Sequence, residues 1–493
     1  MSATAKELPE TLPRWDIPSD WQWVSLAGVG KVITGNTPPT KVIENYGSDI
    51  PFVKPPELVD RGIAQATEGL SQLGMKTARL LPKGAVLVSC IGGLGKTGLA
   101  KVPMAFNQQI NAIVFDEHVL PEYGFYYAQT LKPWLYGVAS ATTLPIVNKG
   151  KFHRAPFPLA PIDQQKRIVA EIEKQFSHLD EAVANLKRVK ANLKRYKAAV
   201  LKAAVEGKLT EAWREAHPEV ESASKLLDRI LAERRAKWEE SELAKMEAKG
   251  KAPKNDKWKA KCPEPAAYVA SEFRELPRKW VMASLDQLSW HSGYGTSARC
   301  AYENDGVPIL RIPNIDKAEI DLSDVKFAPS DLEVSDCESL APNDMLVIRT
   351  NGSRSLIGRA AIVAKEFQET TYYASYLIRF RLLGDKGLAR WLSSYWQSTV
   401  ARAWVEERAA TSAGQHNISM SVLATAPVPV PPEDEQQRIV TEVDRHLSLV
   451  RDTETQVETN LKRAERLRQS ILSRAFSGQL VANGAEQLAA AAG

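Results

Sequence analysis

Residues 158–179, PLAPIDQQKRIVAEIEKQFSHL, are repeated with substitutions at residues 429–450, PVPPEDEQQRIVTEVDRHLSLV. At a constant offset of 271, Gln165 aligns with Gln436, and the Arg-Ile-Val at 167–169 aligns with the one at 438–440. The register continues without a gap to Leu209 and Leu480. An internal repeat of this kind divides a chain into equivalent structural units.

Each copy of the repeat predicts one long helix. Prolines, which are not tolerated in a helix interior, stand just before its start. Gly207 or Gly478 near its end is a natural C-cap. Apolar residues recur every seven positions over four to five heptads, which is the pattern of a coiled coil. The rows are Ile172, Leu179, Leu186, Leu193 and Val200 in the first copy, and Val443, Val450, Val457, Ala464 and Ile471 in the second.

Two such helices could be unrelated core helices of separate domains. However, at ~1.5 Å per residue each would be on the order of 60 Å long, too long for a small domain to cover. We therefore expect the two apolar rows to pack against each other. The pattern alone does not fix the relative direction of the helices.

The repeat extends upstream into two globular segments. IPSDWQW at 17–23 resembles LPRKW at 276–280, and DIPFVKPPEL at 49–58 resembles GVPILRIPNI at 306–315. Both segments read as mixed α/β, with strands expected at 85–89, 113–115, 345–349, 360–364 and 376–382 and helices at 123–131 and 389–405. The predicted order is a globular domain (1–157), a long helix (158–210), a charged helical linker (211–271), a second globular domain (272–428), a second long helix (429–481) and a flexible tail (482–493).

Within the linker, Leu226, Leu227, Ile230 and Leu231 predict a short amphipathic helix that continues as an exposed charged one. The Gly, Pro, Lys and Asn content of residues 249–265 is typical of a flexible connection.

The stretch SCIGGLGKTG at 89–98 resembles a phosphate-binding loop, but Cys90 stands where its first glycine is required. At the equivalent place in the second segment, Ser355, Leu356 and Ile357 replace Gly95, Lys96 and Thr97. Both segments keep a strand, a glycine-bearing turn and a second short strand. We therefore interpret the glycines as turn residues of a β-hairpin.

Composition excludes several classes of protein. The chain is 44% hydrophobic and 25% charged, which is ordinary for a globular protein. It has no apolar run long enough for a membrane span and no signal peptide, and its four cysteines form no C-x-x-C pair, so a cytoplasmic location is expected. Much of the net charge of +5 comes from residues 228–261, with 11 Lys or Arg against 7 Asp or Glu, so overall charge does not establish DNA binding. No metalloprotease, nucleophile-elbow or amino-methyltransferase motif is found.

The arrangement as a whole resembles the specificity subunit of type I restriction-modification systems, over nearly the entire chain. The resemblance rests on the Pro-rich entry followed by Gln and Arg-Ile-Val, on the helix endings AVLKAAVEGKLT (199–210) and SILSRAFSGQLV (470–481), on the two domain openings and on AERRAKWEE at 232–240. It implies two target-recognition domains that each read half of a bipartite double-stranded DNA sequence, and two helices that pair as an antiparallel coiled coil, with pseudo-twofold symmetry, and set the spacer.

The same resemblance implies partners that carry the chemistry. Two methyltransferase subunits would use S-adenosylmethionine, and restriction subunits would use ATP and Mg²⁺. This chain would be non-catalytic, with no cofactor or metal of its own and no membrane association.

Candidate DNA contacts follow from residue type. Arg, Lys, Asn and Gln form hydrogen bonds with base edges, and Ser, Thr, Lys and Arg bind phosphates. The second domain offers the turn at 349–355 and nearby polar residues: Arg299, Arg311, Arg349, Asn351, Ser353, Arg354, Gln415, His416 and Asn417. The corresponding residues of the first domain are Lys54, Ser89, Lys96, Thr97, Asn107, Gln108 and Gln109.

Two other classes of protein stay open at this point. A restriction enzyme with fused activities would carry methyltransferase or nuclease motifs in the same chain. A coiled-coil scaffold without sequence-specific DNA binding would lack the salt-sensitive affinity that phosphate contacts produce.

Overall fold

The computed structural model describes residues 16–140, 143–250, 253, 255–269, 275–316, 318–334, 338–412 and 414–481. The predicted tail at 482–493 therefore lies outside the described residues. The chain divides into two compact units, Met1–Arg188 with Val457–Gly493 and Val189–Gln456. Each of the two long helices contributes one part to each unit.

The secondary structure alternates mixed α/β regions with long helices. In chain order its strands and α-helices are β1 (Gln22–Ser25), β2 (Gly30–Thr34), β3 (Tyr46–Val53), β4 (Arg61–Ile63), β5 (Glu68–Leu70), α1 (Gln72–Thr77), β6 (Leu80–Leu81), β7 (Val86–Ser89), β8 (Thr97–Ala100), β9 (Met104–Phe106), β10 (Ile110–Phe115), α2 (Pro121–Ala128), α3 (Lys132–Val138), α4 (Lys149–Phe152), β11 (Pro156–Leu159), α5 (Ile162–Val205), α6 (Glu211–Ala216), α7 (Ala223–Ala248), β12 (Val281–Ser284), β13 (Ser289–Tyr294), β14 (Pro308–Leu310), β15 (Ile315–Asp316), β16 (Glu319–Ile320), β17 (Lys326–Phe327), β18 (Asp344–Ile348), β19 (Thr350–Asn351), β20 (Ala360–Ile362), β21 (Tyr372–Tyr373), β22 (Leu377–Leu382), α8 (Lys386–Trp396), α9 (Thr399–Arg408), β23 (Ala410–Ser412), β24 (Gln415–Asn417), α10 (Met420–Ala424), β25 (Pro427–Val430) and α11 (Glu433–Phe476). Short 3-10 turns occupy Leu26–Gly28, Ile43–Asn45, Pro55–Glu57, Lys208–Thr210, Asp256–Lys261, Ile312–Asn314 and Arg354–Leu356.

The first unit is built on a five-stranded sheet in the order β2-β10-β7-β8-β4 and a four-stranded sheet in the order β5-β3-β9-β6. Alternation along β7 separates two cores. Val86 and Val88 join the cluster that includes Tyr123 and Trp134, whereas Leu87 joins the cluster with Met104. A strand buried on both faces in this way reads as a continuous apolar run, as VLVS does.

The second unit repeats the plan with β13-β22-β18-β20 as its main sheet and a smaller sheet in the order β17-β14-β21. Along β18, Met345 and Val347 join the cluster with Trp391, while Leu346 and Ile348 join the opposite one. In both units the central hairpin is antiparallel, β7 with β8 and β18 with β20, as predicted from the turn glycines. Lys96 therefore leads into a strand and not into a helix, so a phosphate-binding loop is excluded there.

The predicted strands at 85–89, 113–115, 345–349, 360–364 and 376–382 correspond to β7, β10, β18, β20 and β22. The helix predicted at 123–131 is α2. The prediction of one helix over 389–405 was wrong, because α8 ends at Trp396 and α9 starts at Thr399. Ser398 caps the new start, its Oγ accepting a hydrogen bond from the Ala401 N–H at 3.3 Å.

A repeated junction ties each globular domain to its long helix. In the first unit β1 pairs with β11, and the hydroxyls of Tyr123 and Tyr127 donate to backbone carbonyls of β11 at 2.8 and 2.6 Å. The Trp21 Nε1–H donates to the side chain of Gln164 at 2.6 Å, and the Gln165 amide donates to the Ala160 carbonyl at 2.8 Å.

The second unit makes the same connections with substituted residues. β12 pairs with β25, and Trp391 and Tyr395 donate to carbonyls of β25 at 2.8 and 2.5 Å. Trp280 Nε1–H donates to Glu435, the counterpart of Gln164, at 2.9 Å, and Gln436 donates to the Pro431 carbonyl at 2.9 Å.

The two long helices, α5 and α11, each have 44 residues. Each is followed by a glycine in the left-handed region, Gly207 at φ 68° and Gly478 at φ 74°, which confirms the predicted C-caps. All five residues of the predicted apolar row on α11 are at most 8% exposed. On α5, Ile172 and Val200 are buried, and the three row residues between them are half-buried.

Within the first unit the two helical segments run in opposite directions. Gln164, near the start of α5, lines a small pocket together with Gly478, just past the end of α11. Further along α5, Asp180 accepts a hydrogen bond from Arg468, whose guanidinium carbon lies 4.0 Å from the centre of the Phe176 ring.

The second unit shows the same relation. Tyr196 of α5 and His446 of α11 are hydrogen-bonded at 2.7 Å, while Thr210, after α5, donates to Glu435, near the start of α11, at 2.7 Å. Opposite directions within each unit agree with the antiparallel arrangement that the resemblance implies. Pairing along the full length of both helices as a coiled coil stays a prediction.

The linker helix α7 buries Leu226, Leu227 and Ile230 in the core of the second unit, as its amphipathic pattern predicted. The predicted flexible connection over 249–265 includes residues 251, 252 and 254, which lie outside the described residues, and the prediction was wrong at the 3-10 turn Asp256–Lys261. There the Trp258 ring stacks on Trp238 of α7 with centroids 5.9 Å apart. Aromatic packing gave order to a stretch whose composition is polar. No helix in the described part of the chain is long and apolar enough to cross a bilayer.

Candidate nucleic-acid interface

In the second unit, loops gather at one end of the main sheet. The Arg349 N–H donates to the Tyr376 carbonyl at 2.9 Å, and the Arg349 carbonyl accepts from the Ile418 N–H at 2.9 Å. β19 pairs with β24, and Thr296 exchanges backbone hydrogen bonds with the 373–375 segment. We call residues 294–296, 349–355, 374–376 and 415–417 the second loop face.

The second loop face brings together most of the predicted contacts of this domain. The side chains of the turn are partly organised by local bonds, since the Asn351 carbonyl oxygen accepts from the Ser353 N–H at 2.7 Å and the Arg354 guanidinium donates to the Glu406 carbonyl at 2.8 Å. His416 is hydrogen-bonded to Thr411 at 2.9 Å. A Cβ built on Gly352 or on Gly414 meets no atom within 4 Å, so the tips of this face are open.

Two other predicted residues of the second domain lie beside this face or away from it. Arg299 is exposed in the loop that continues from β13. Arg311 follows β14 in the smaller sheet, where its guanidinium pairs with the Asp324 carboxylate at 3.2 Å and also donates to the Asp324 carbonyl. Its charge is therefore already engaged.

The first unit has an equivalent gathering of loops. The Cys90 N–H donates to the Gln109 carbonyl at 2.8 Å, and the Cys90 carbonyl accepts from the Val147 N–H at 2.9 Å. Asn36, after β2, donates from its backbone to the Phe106 carbonyl. We call residues 35–37, 89–96, 107–109 and 146–147 the first loop face.

Several predicted residues of the first domain serve the loops themselves. Ser89 is fully buried, and its hydroxyl donates to the Gly93 carbonyl at 2.6 Å and accepts from the Lys96 N–H at 2.9 Å. Thr97 is also fully buried and donates to the Asp60 carboxylate at 2.8 Å. These bonds satisfy buried polar groups and fix the hairpin turn.

The remaining predicted residues of the first domain differ in accessibility. Lys96 and Gln108 are exposed, whereas Asn107 is buried and its amide donates to the side chain of Gln109 at 3.1 Å. Lys54 pairs with Glu68 at 2.5 Å, at the start of the 3-10 turn that corresponds to the one after Arg311.

Aromatic residues on the loop faces were missed from the sequence. The Tyr294 ring, 41% exposed, lies 4.6 Å from the guanidinium carbon of Arg349, and Tyr376 is 54% exposed beside them. Both tyrosines stand at strand ends next to loops. The sequence signal that could have indicated these two tyrosines was an aromatic residue at a predicted strand end, next to a loop that contains glycine.

A buried charge cluster distinguishes the second unit at the start of β18. Asp344 is fully buried and accepts two hydrogen bonds from Arg381, at 2.7 and 2.8 Å, while Arg379 is 2% exposed and lies 3.2 Å from the His291 ring nitrogen. Burial, followed by the charge of Arg379, lowers the pKa of His291, so its ring is neutral near pH 7. In the described part of the chain no group of three or more His, Cys, Asp or Glu could hold a metal ion.

Comparison with known proteins identifies the class to which this architecture belongs. Residues 18–195 and 277–463 match the type I restriction modification DNA specificity domain, so the chain belongs to that family and carries the domain twice. It is a specificity subunit, whose role is DNA sequence recognition within a restriction-modification system. The resemblance predicted from the sequence is thereby confirmed.

Individual relatives match this chain over different lengths. The EcoKI specificity subunit of Escherichia coli strain K12 is 26% identical over 340 residues, which span 68% of this chain and 60% of that one. The StySPI specificity subunit of Salmonella potsdam is 23% identical over 481 residues, which span 95% of this chain and 91% of that one. A chain from a solved structure of a type I R-M system, described in terms of complex assembly and conformational transition, covers 94% of this chain and 99% of its own length with a TM-score of 0.63 at 18% identity, which shows a shared fold.

Proposed function

We propose that each globular domain reads one half of a split DNA sequence and that the two long helices fix the number of unspecified base pairs between the halves. One observation carries this proposal. The two domains attach to the helices through the same set of bonds, whereas their loop faces carry different side chains. Two domains that are attached to the helices in the same way, but whose loop faces carry different side chains, suit the recognition of two different half-sites.

The reading surfaces are assigned by accessibility and residue type. In the second domain we assign Arg349, Asn351, Ser353, Arg354 and Gln415, with His416, Asn417 and Arg299 at their edge. Arg and Asn or Gln pair with guanine and adenine edges, and hydroxyls and the remaining cations suit phosphates.

In the first domain we assign Lys96 and Gln108, which are exposed, and place Asn107 and Gln109 behind them. Ser89 and Thr97 are left out because their side chains are buried and bonded inside the domain. Lys54 and Arg311 each already neutralise a carboxylate, so they are assigned only as supports of the neighbouring loops.

The chemistry would belong to partner subunits. Two methyltransferase subunits would bind S-adenosylmethionine, and restriction subunits would bind ATP and Mg²⁺, with this chain supplying recognition and a scaffold. The motif content of the sequence supports this division, since no amino-methyltransferase motif was found in it.

Base-resolution methylation sequencing tests the proposal. DNA is taken from cells that express the cognate methyltransferase subunit with and without this chain. A split motif with a fixed spacer, present only when the chain is expressed, is the expected result. No new mark, despite a stable complex of the two proteins, would remove the split-recognition role and favour a scaffold without sequence-specific binding.

A further inference from the structure

The backbone and the side chain of Arg349 are both held in place by contacts with its neighbours. Its backbone is hydrogen-bonded on both sides, to Tyr376 and Ile418, each at 2.9 Å. Its guanidinium carbon lies 4.6 Å from the centre of the Tyr294 ring. That ring is itself fixed, since the Tyr294 hydroxyl accepts a hydrogen bond from the Met420 N–H at 3.3 Å. The planar fork of the side chain is therefore oriented before any ligand arrives.

The hydrogen-bonding capacity of Arg349 is unused. Among the described residues, none forms a hydrogen bond or ion pair with its guanidinium, and its Nε is buried without a partner. The Nε of Arg311 is also buried without a partner, but its terminal nitrogen pairs with Asp324, and the guanidinium of Arg354 donates to the Glu406 carbonyl. A half-buried cation without an acceptor costs stability, and such arrangements concentrate where a ligand supplies the missing partner.

The surroundings favour a base edge over a phosphate as that ligand. Thr350 pairs in register with Asn417, whose side-chain oxygen is also buried without a partner. This part of the face thus combines unused donors on Arg349 with an unused acceptor on Asn417. The major-groove edge of a G·C pair offers the complement, with two acceptors on guanine and an amino donor on cytosine.

We propose that Arg349 is a specificity-determining residue that reads a guanine in the half-site of the second domain. This inference rests on the proposed function, because it requires that the second loop face binds DNA. Arginine can place two parallel N–H groups of a rigid planar fork on the guanine O6 and N7, whereas lysine reaches the same two acceptors only from a flexible ammonium group.

The test compares the wild-type chain with Arg349→Ala and Arg349→Lys, each in complex with its methyltransferase subunits. The target sequence is first taken from the methylation motif of the wild type. Binding is then measured by competition with four duplexes that differ only at one base pair, for each G·C pair of the two half-sites. Arg354→Ala is the matched control, since it removes an equal charge from the same turn and Arg354, whose guanidinium is already bonded to the Glu406 carbonyl, is assigned to a phosphate.

The wild type should prefer G·C at one pair by roughly 10- to 100-fold, Arg349→Ala should lose that preference, and Arg349→Lys should keep only part of it, while the other half-site is still read. Arg354→Ala should weaken binding to all four duplexes equally. If Arg349→Ala keeps the full preference, or if both Arg349 variants weaken binding without changing any base preference, the base-reading assignment is overturned. Absence of any split motif with the wild type would instead refute the proposed function itself.

Discussion

Glu435 provides a quantitative test of how the second domain is fastened to its helix. This carboxylate is fully buried and accepts hydrogen bonds from Trp280 at 2.9 Å, from Thr210 at 2.7 Å and from Arg214 at 3.0 Å. Glu435→Ala removes all three acceptor contacts at once. The counterpart in the first unit is Gln164, so Glu435→Gln installs a residue that the chain already uses at this junction.

The expected costs follow from the number of groups left unsatisfied. Removing one partner of a buried ion pair costs about 3–5 kcal/mol, and the exposure of the Arg214 side chain, 17%, places the expected value near the lower end. Glu435→Gln keeps an acceptor for Trp280 and loses the charge-assisted bond to Arg214, at about 1–2 kcal/mol.

Native-state hydrogen exchange is the suitable assay, because a chain of two units does not unfold in one step. Amides at the start of α11 and in β12 should exchange more than roughly 100-fold faster in Glu435→Ala, and about 5- to 30-fold faster in Glu435→Gln. Gln164→Ala, which removes the hydrogen bond from Trp21 and the one to the Asp20 carboxylate, serves as the comparison and should act on the first unit. Equal effects of the Ala and Gln variants at Glu435 would refute the reasoning.

Three further predictions address the helices, a C-cap and a buried thiol. Inserting one heptad at 188–189 and another at 456–457 lengthens both helices by about 10.5 Å. The spacer in the methylation motif should then grow by about three base pairs. An unchanged spacer would contradict the proposal that the helices set its length. Gly478→Ala places a Cβ 2.3 Å from the Pro18 ring at φ 74°, so it should destabilise the first unit by about 1–3 kcal/mol, measured by native-state hydrogen exchange. Gly150→Ala, where the nearest atom to the added Cβ is the Asn148 Oδ1 at 3.5 Å, should have little effect, and equal exchange rates in the two variants would contradict this. Burial raises the pKa of the Cys90 thiol to about 12, so the folded state keeps a proton that the unfolded state loses above about pH 9. The free energy of unfolding should therefore fall as the pH rises above about 9. Cys90→Ala should make this fall shallower, and identical pH profiles for the wild type and the variant would contradict the prediction.

Much of the architecture could be predicted from the sequence because local pattern and repeat pointed the same way. The seven-residue rows gave the two long helices, and the glycines at 207 and 478 gave their ends. The central strands were recognisable because, buried on both faces, they read as apolar runs. The break between α8 and α9 was missed because Ser398 interrupts an otherwise helical pattern with one capping hydroxyl.

The loop faces were harder to predict because accessibility depends on tertiary partners. Ser89 and Thr97 have the residue types of phosphate contacts, but bonds to Gly93 and Asp60 take them into the interior. Nothing in the local sequence announced that the Tyr294 ring would lie against Arg349. The position of a strand end was predictable from the sequence. Whether a side chain at that end points to solvent or to the interior depends on neighbours that are distant in sequence.

The charge cluster around Asp344 shows the same limit in a strand. Arg379 and Arg381 occupy β22, and their polar character suggests solvent exposure. In the structure both are largely buried because Asp344 supplies a carboxylate between them. The pairing is a property of two strands together and cannot be read from either one.

The repeated junction has a consequence for how this protein can change over time. Four of its bonds run from side chains of α2 and α8 to main-chain carbonyls of β11 and β25, and those carbonyls are present whatever side chains the strands carry. None of the residues that make these bonds belongs to either loop face. Substitutions on a loop face therefore leave these bonds intact, and a domain from another protein would need its own pair of aromatic donors four residues apart and its own strand to pair with β11 or β25. Attachment and recognition are free to evolve separately.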